Sequence, residues 1–200
     1  MSKINAICVY CGSSPGTEPA FVEAAHTFGK ILAENGVRLI YGGGSVGLMG
    51  ALAASTLEHG GEVTGVIPEF LTKRERPRHL PQELIVTRDM HERKRVMFER
   101  ADAFVALPGG IGTLEELVEQ LTWVQLGRHK KPILVANIQG YWGPLLALID
   151  HMQAVKFLPP GLHVDFLVTK RIEEILPMLR ETARRTAEAD KAMAVPAERL

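Results

Sequence analysis

Nowhere does the chain carry an apolar run long enough to span a bilayer. Its opening, "MSKINAICVYCGSS", has neither the apolar stretch nor the small-residue cleavage site of a secretory signal. Both absences point to a cytoplasmic protein with no membrane partner. An excess of either charge is missing too. The 23 Lys and Arg balance 23 Asp and Glu, so the surplus that non-specific nucleic-acid binding requires is not there. Cysteine is scarce. Cys8 and Cys11 form a C-x-x-C, but no second pair or Cys/His set completes a zinc site, and Cys8 falls inside the apolar run "INAICVY". They read as core cysteines rather than a metal or redox pair. The segment "HERKR" from His91 lacks the second histidine of H-E-x-x-H, since position 95 is arginine, so no metal is expected. A G-x-x-x-x-G-K-[ST] is also absent, which disfavours a nucleoside triphosphatase.

What is present is enough for one real core: 200 residues, 46% of them hydrophobic. Short β-branched runs at Ile4 to Tyr10, Val37 to Tyr41, Glu62 to Ile67, Glu83 to Thr87, Ala103 to Leu107, Pro132 to Ala136 and Asp165 to Val168 predict strands. Between them the apolar spacing changes to three and four, as in Phe21, Ala24, Phe28, Ile31 and Leu32, or Leu114, Leu117, Val118 and Leu121. Helices are also expected over Val46 to His59, His91 to Arg100, Tyr141 to Gln153 and Arg171 to Arg184. The alternation predicts an α/β fold, a Rossmann-like doubly wound parallel sheet in a single domain. That domain is expected to cover 1–184, with 185–200 a solvated C-terminal tail. In such sheets ligands bind beyond the carboxyl ends of the strands, so function belongs in the βα loops.

Three of those loops are rich in glycine or serine: "CGSSPG" at Cys11, "YGGGSVGLMG" at Tyr41 and "PGGIGT" at Pro108. Gly42, Gly44 and Gly47 satisfy G-x-G-x-x-G, yet the loop follows the second strand, and the nearest candidate acid, Glu69, lies past a proline. The context of a dinucleotide fingerprint is therefore missing, which disfavours a nicotinamide-dependent oxidoreductase. In "LPGGIGTLEEL" the glycines stand where a strand hands over to a helix, whose free N–H groups and dipole favour an anion. Glu115 and Glu116 follow at once. A carboxylate beside a phosphate repels it unless it faces a cation-like part of the same ligand.

Upstream, between Lys73 and Arg95, eight Lys and Arg face four acids. Part of this island, "RDMHERKR", opens a helix with Arg93 and Lys94, where the dipole disfavours cations. Either the charges are a solvated face or an anion compensates them. Ser13 and Ser14 have no neighbouring base and read as turn residues or hydroxyl donors to a ligand.

Taken together, "GGGSVGLMG", "DMHERK" and "PGGIGTLEE", in that order and spacing, resemble the LONELY GUY (LOG) family of cytokinin riboside 5′-monophosphate phosphoribohydrolases, from the first strand to about Phe166. The resemblance implies a homodimer with no metal or redox cofactor. It implies hydrolysis of the N-glycosidic bond of adenine-type nucleoside 5′-monophosphates to free base and ribose 5-phosphate. Carried over by motif, Glu116 and Arg93 are catalytic, and Gly110, Gly112 and Thr113 hold the 5′-phosphate. Lys94, Glu75 and Thr122 are expected to contact substrate; Ser13, Gly43, Gly44, Met90 and Gly109 are expected to line the same site. The dimer is expected to use the apolar helix "LEELVEQLTWVQLG", where Trp123 and Val124 add apolar surface. The label "lysine decarboxylase", which similar sequences have carried, lacks the Schiff-base lysine and pyridinium partner of a pyridoxal enzyme.

This chemistry accounts for the glutamate beside the glycine loop. Breaking a glycosidic C–N bond builds positive charge on the ribose, which a carboxylate stabilises while it activates water, as helix N–H groups hold the phosphate a sugar's width away. Glu115 is expected to be an exposed first-turn acid. A non-catalytic nucleotide sensor on the same fold is the alternative.

Overall fold

Strand β1 (Ala6–Tyr10) lies at the centre of a parallel sheet, with β2 (Arg38–Tyr41) on one side and β5 (Ala103–Ala106) on the other. The chain builds outward from β2 through β3 (Val63–Pro68) to β4 (Glu83–Thr87), then crosses back to β5 and continues through β6 (Ile133–Ala136) to β7 (Leu167–Thr169). The resulting order is β4-β3-β2-β1-β5-β6-β7, with every neighbouring pair parallel. This is a computed structural model, and it describes residues 4–72, 81–158 and 165–194.

The doubly wound sheet expected from the alternating pattern is thus present, each strand falling within a few residues of its apolar run. β1, β5 and β6 are buried at every position, as strands covered on both faces must be. On one face Ile7 and Val9 pack with α1 (Pro19–Glu34), α2 (Gly47–Glu58) and α6 (Ile172–Ala194). On the other, Ala6, Cys8 and Tyr10 pack with α3 (Met90–Arg100), α4 (Ile111–Gln125) and α5 (Gly143–Ala154). Cys8 and Cys11 fall in opposite cores and are both free and buried. The C-x-x-C is therefore no redox pair. Helix α6 continues past Arg184 to Ala194, farther than its apolar spacing indicated. Among the described residues no helix is long and apolar enough to cross a membrane.

Because β1 and β5 are neighbours whose connections leave in opposite directions, a crevice opens above their carboxyl ends. The loops there are tied together by backbone hydrogen bonds. Gly12 donates to Pro108 O (3.0 Å), and its own carbonyl accepts from Leu48 N (3.0 Å) and Met49 N (3.2 Å) in the first turn of α2. The N-terminus of α2 is thereby occupied by the protein itself. Gly47 makes this possible: its φ is +62°, and a Cβ there would run into the Ser13 backbone. The N-terminus of α4 differs. Gly110 is its N-cap in extended conformation, with no side-chain cap, so its first-turn N–H groups have no side-chain acceptor.

Candidate functional site

The crevice holds a cavity of about 280 Å³ whose lining includes Cys11 and Gly12 after β1, Gly42 after β2, Met90 and Arg93 of α3, and the start of α4 with Glu116. Three of the loops rich in glycine or serine therefore meet at one place. Thr113 is buried in the first turn of α4, beside the uncapped N–H groups, where a phosphate finds both donors and the positive end of the dipole.

One turn farther along α4, Glu116 faces Arg93: Nη2 to Oε1 is 3.4 Å, with the two side chains 9% and 10% exposed. Burial, the largest influence, pushes the Glu116 carboxyl up to about 7, against the opposing pull of the Arg93 guanidinium. The group is thus poised to exchange a proton near neutral pH. Arg93 Nη1 donates to Met90 Sδ (3.7 Å), and Arg93 Nε is buried with no partner among the described residues. The guanidinium lies against Gly42, where a Cβ would overlap Nη2. A residue without a side chain at the end of β2 is what lets Arg93 reach Glu116.

Two carboxylates answer the neighbouring lysine. Lys94 Nζ sits 2.5 Å from Glu115 Oε1 and 3.0 Å from Glu119 Oε1, and Lys94 is buried. Burial opposes its charge, but the hydrogen bonds to Glu115 and Glu119 more than offset this and raise its pKa. The described half of the basic island is therefore neutralised from within. Arg88 pairs with Glu92, Arg95 with Glu92 and Glu99, Arg93 with Glu116, and Lys94 with Glu115 and Glu119. The helix itself starts well despite its basic residues, because Asp89 accepts from Glu92 N and the Glu92 carboxylate accepts from Arg88 N, each at 2.8 Å.

Of the residues expected at the site, Ser13, Met90, Arg93, Gly110, Gly112, Thr113 and Glu116 line the one cavity. Gly109 lies just beside it, its carbonyl accepting a hydrogen bond from the Tyr141 hydroxyl. Lys94, Gly43 and Gly44 do not line it. Thr122 is exposed and donates its hydroxyl to Val118 O (2.8 Å), outside the cavity. Glu75 lies outside the described residues, as do Lys73, Arg74, Arg76 and Arg78. Glu115, expected as an exposed first-turn acid, is exposed, and it also borders the cavity and binds Lys94. Cys11, Gly42, Met49 and Ile111 also line the cavity. All four fall in the glycine- or serine-rich loops, although none is among the expected site residues. Burial raises the Cys11 thiol pKa, and Glu116 raises it further, so Cys11 is a neutral wall rather than a nucleophile.

A larger cavity, about 580 Å³, lies at the amino ends of β6 and β7, the far side of the sheet. Its Lys130 is paired with Asp190, and the Lys131 ammonium donates to Phe98 O (2.7 Å). Among its described lining residues no carboxylate is paired with arginine and none opens a helix, so the chemistry stays with the crevice.

A family model described as "Possible lysine decarboxylase" matches residues 49–179. Over 180 residues the chain is 49% identical to the cytokinin riboside 5′-monophosphate phosphoribohydrolase LOG of Oryza sativa subsp. japonica, covering 90% of this chain and 74% of that one. It is 45% identical over 181 residues to LOG7 of Arabidopsis thaliana, the same named activity, covering 90% and 83%. The chain belongs to the LOG family. A bacterial protein of that name, from Rhodococcoides fascians, is 44% identical over 176 residues, covering 88% and 89%. Among solved structures, the molybdenum cofactor binding protein of Rippkaea orientalis superposes with a TM-score of 0.68 at 20% identity, covering 90% of this chain and 98% of that one. That likeness concerns the fold alone. The decarboxylase description of the family model finds no counterpart in the LOG site, since the buried Lys94 is held as an ammonium by two carboxylates and does not face the cavity.

Proposed function

We propose that the protein hydrolyses the N-glycosidic bond of adenine-type nucleoside 5′-monophosphates, cytokinin riboside 5′-monophosphates among them, giving free base and ribose 5-phosphate. The observation that carries this reading is a buried carboxylate paired with arginine one helical turn from an uncapped helix N-terminus in the same cavity. The names of the relatives at 44–49% identity support it.

The first-turn N–H groups of α4 with Thr113 hold the 5′-phosphate, which fixes C1′ of the ribose near Glu116. As the bond between C1′ and the base nitrogen breaks, the electron pair leaves with the base and positive charge develops on the sugar. The ionised Glu116 stabilises that charge and takes a proton from the water that attacks C1′. The departing base gains a proton, and the sugar keeps the hydroxyl. Arg93, which lines the same cavity, holds the carboxylate in place.

We read the active form as a homodimer. Ile111 and Val118 are exposed on α4 and Leu126 just past its end, and α5 has no buried residue although it carries Leu148 and Met152. A second copy is the economical cover for that much apolar surface. Trp123, expected in this surface, packs instead edge-on against Phe98 of its own chain at 4.9 Å, with Arg128 over its ring.

Incubation with AMP and with N6-isopentenyl-AMP, followed by chromatography, tests the reaction. Free base and ribose 5-phosphate are expected in equal amounts. Tight binding with the nucleotide recovered intact would instead make the protein a sensor.

A further inference from the structure

The peptide that joins Gly109 to Gly110 stands between two cavities. Gly110 lines both the crevice and a smaller cavity of about 230 Å³ behind it, whose lining also includes Gly12, Phe21, Gly109 and Tyr141. A peptide flanked by two glycines turns over easily, because neither side carries a Cβ to resist the rotation. The carbonyls on either side of this one are pinned by backbone: Pro108 O accepts from Gly12 N and Gly110 O from Leu114 N, both at 3.0 Å. The middle carbonyl, Gly109 O, is held by a side chain, the hydroxyl of Tyr141.

Tyr141 arrives from the loop after β6 by a turn that backbone does not adopt readily. In the 3₁₀ turn Ile138–Gly140, φ is +52° at Gln139 and +75° at Gly140, and a residue with a side chain rarely takes such left-handed values. The buried Asn137 fixes this turn on both sides: its N–H donates to Thr169 O of β7, and its Oδ1 accepts from Trp142 N, each at 2.7 Å. The Tyr141 ring then lies edge-on to Phe21 of α1 at 5.5 Å and to Trp142 at 5.0 Å.

We propose that Tyr141 is a positioning residue for the 5′-phosphate: by holding Gly109 O it turns the Gly110 N–H into the crevice, where that N–H donates to the phosphate. The claim rests on the hydrolase reading above. A trans peptide points its C=O and N–H in opposite directions, so a carbonyl held by Tyr141 sends the next N–H away from Tyr141, to the side on which Gly110 lines the crevice. As the N-cap of α4, Gly110 has no partner inside the helix for that N–H. Because Tyr141 is exposed, water can replace its hydroxyl at little cost in stability. Water does not replace the direction: once untethered, the peptide samples both orientations, and the phosphate loses one of its fixed donors.

Tyr141→Phe keeps the ring and its contacts and removes only the hydroxyl. We expect an unchanged melting temperature, a roughly tenfold fall in kcat/KM for AMP, and a value for adenosine, which has no phosphate to orient, within about twofold of wild type. Equal losses on nucleotide and nucleoside, or an unchanged value for AMP, would overturn the proposal. Binding of ribose 5-phosphate reads the tether without turnover: by calorimetry its affinity is expected to weaken roughly tenfold in the variant, and by NMR the Gly110 amide proton of the wild type is expected to shift when it is added. If the wild type releases no base, the hydrolase reading fails by itself and these two measurements still decide the role of Tyr141. An affinity that is unchanged in the variant, or a Gly110 amide that does not respond to ribose 5-phosphate, would overturn it.

Discussion

Glu116 is ionisable and mostly withdrawn from water, and the consequences can be read in solution. Its folded-state value, about 7, lies above the ordinary 4.5. The folded protein therefore holds this proton more tightly than the unfolded chain. The stability it contributes is present below about 4.5 and is lost as pH rises toward 7. Activity runs the opposite way, since a carboxylate that stabilises cationic charge must be ionised: kcat/KM is expected to rise with an acid limb near 7. A flat profile between pH 5 and 8 would remove Glu116 from the rate-determining chemistry. Glu116→Gln keeps the shape and removes the charge, so kcat is expected to fall roughly 10²-fold or more while calorimetry finds nucleotide affinity unchanged, with thermal melts as the folding control. Arg93→Ala should impair both affinity and turnover, because it removes a cation from the cavity lining and leaves Glu116 without its partner. Gly42→Ala reaches the same pair from β2: the new Cβ displaces the guanidinium, and a loss of activity without a fall in melting temperature is expected.

Helix α4 carries two jobs on two faces. Inward, Thr113, Glu116, Leu117, Gln120 and Leu121 are buried against the sheet and the site; outward, Val118 is exposed, as is Leu126 just past the helix end. If a second copy covers the outward face, Val118→Glu is expected to shift the mass seen by light scattering from dimer to monomer. An unchanged mass would put the interface elsewhere. At this scale much was legible before any coordinates, because seven β-branched runs and the glycine loops are local signals. The short 3₁₀ turns Glu69–Leu71 and Ile138–Gly140 had no such signal. Nor did contacts between residues distant in sequence. That Gly42 seats Arg93, that Lys94 answers Glu115 and Glu119, and that Trp123 packs on Phe98 depend on how α3, α4 and β2 meet. The basic residues of α3 looked like an anion site in one dimension, and become the counter-charges of α4 once the two helices are side by side.

For the molecule as a whole, the sheet order decides where chemistry can occur. β1 and β5 meet at the centre and send their loops apart, and the uncapped N-terminus of α4 opens on the cavity that holds the buried ion pair. An anion and a developing cation must therefore be parts of one ligand, separated by about the width of a sugar. Comparing kcat/KM for AMP and N6-isopentenyl-AMP with that for the matched unphosphorylated nucleosides tests this directly. The account predicts release of base from the nucleotides and at least about 10²-fold slower turnover of the nucleosides, whose missing phosphate leaves the α4 donors unpaired; equal turnover of nucleoside and nucleotide would contradict it.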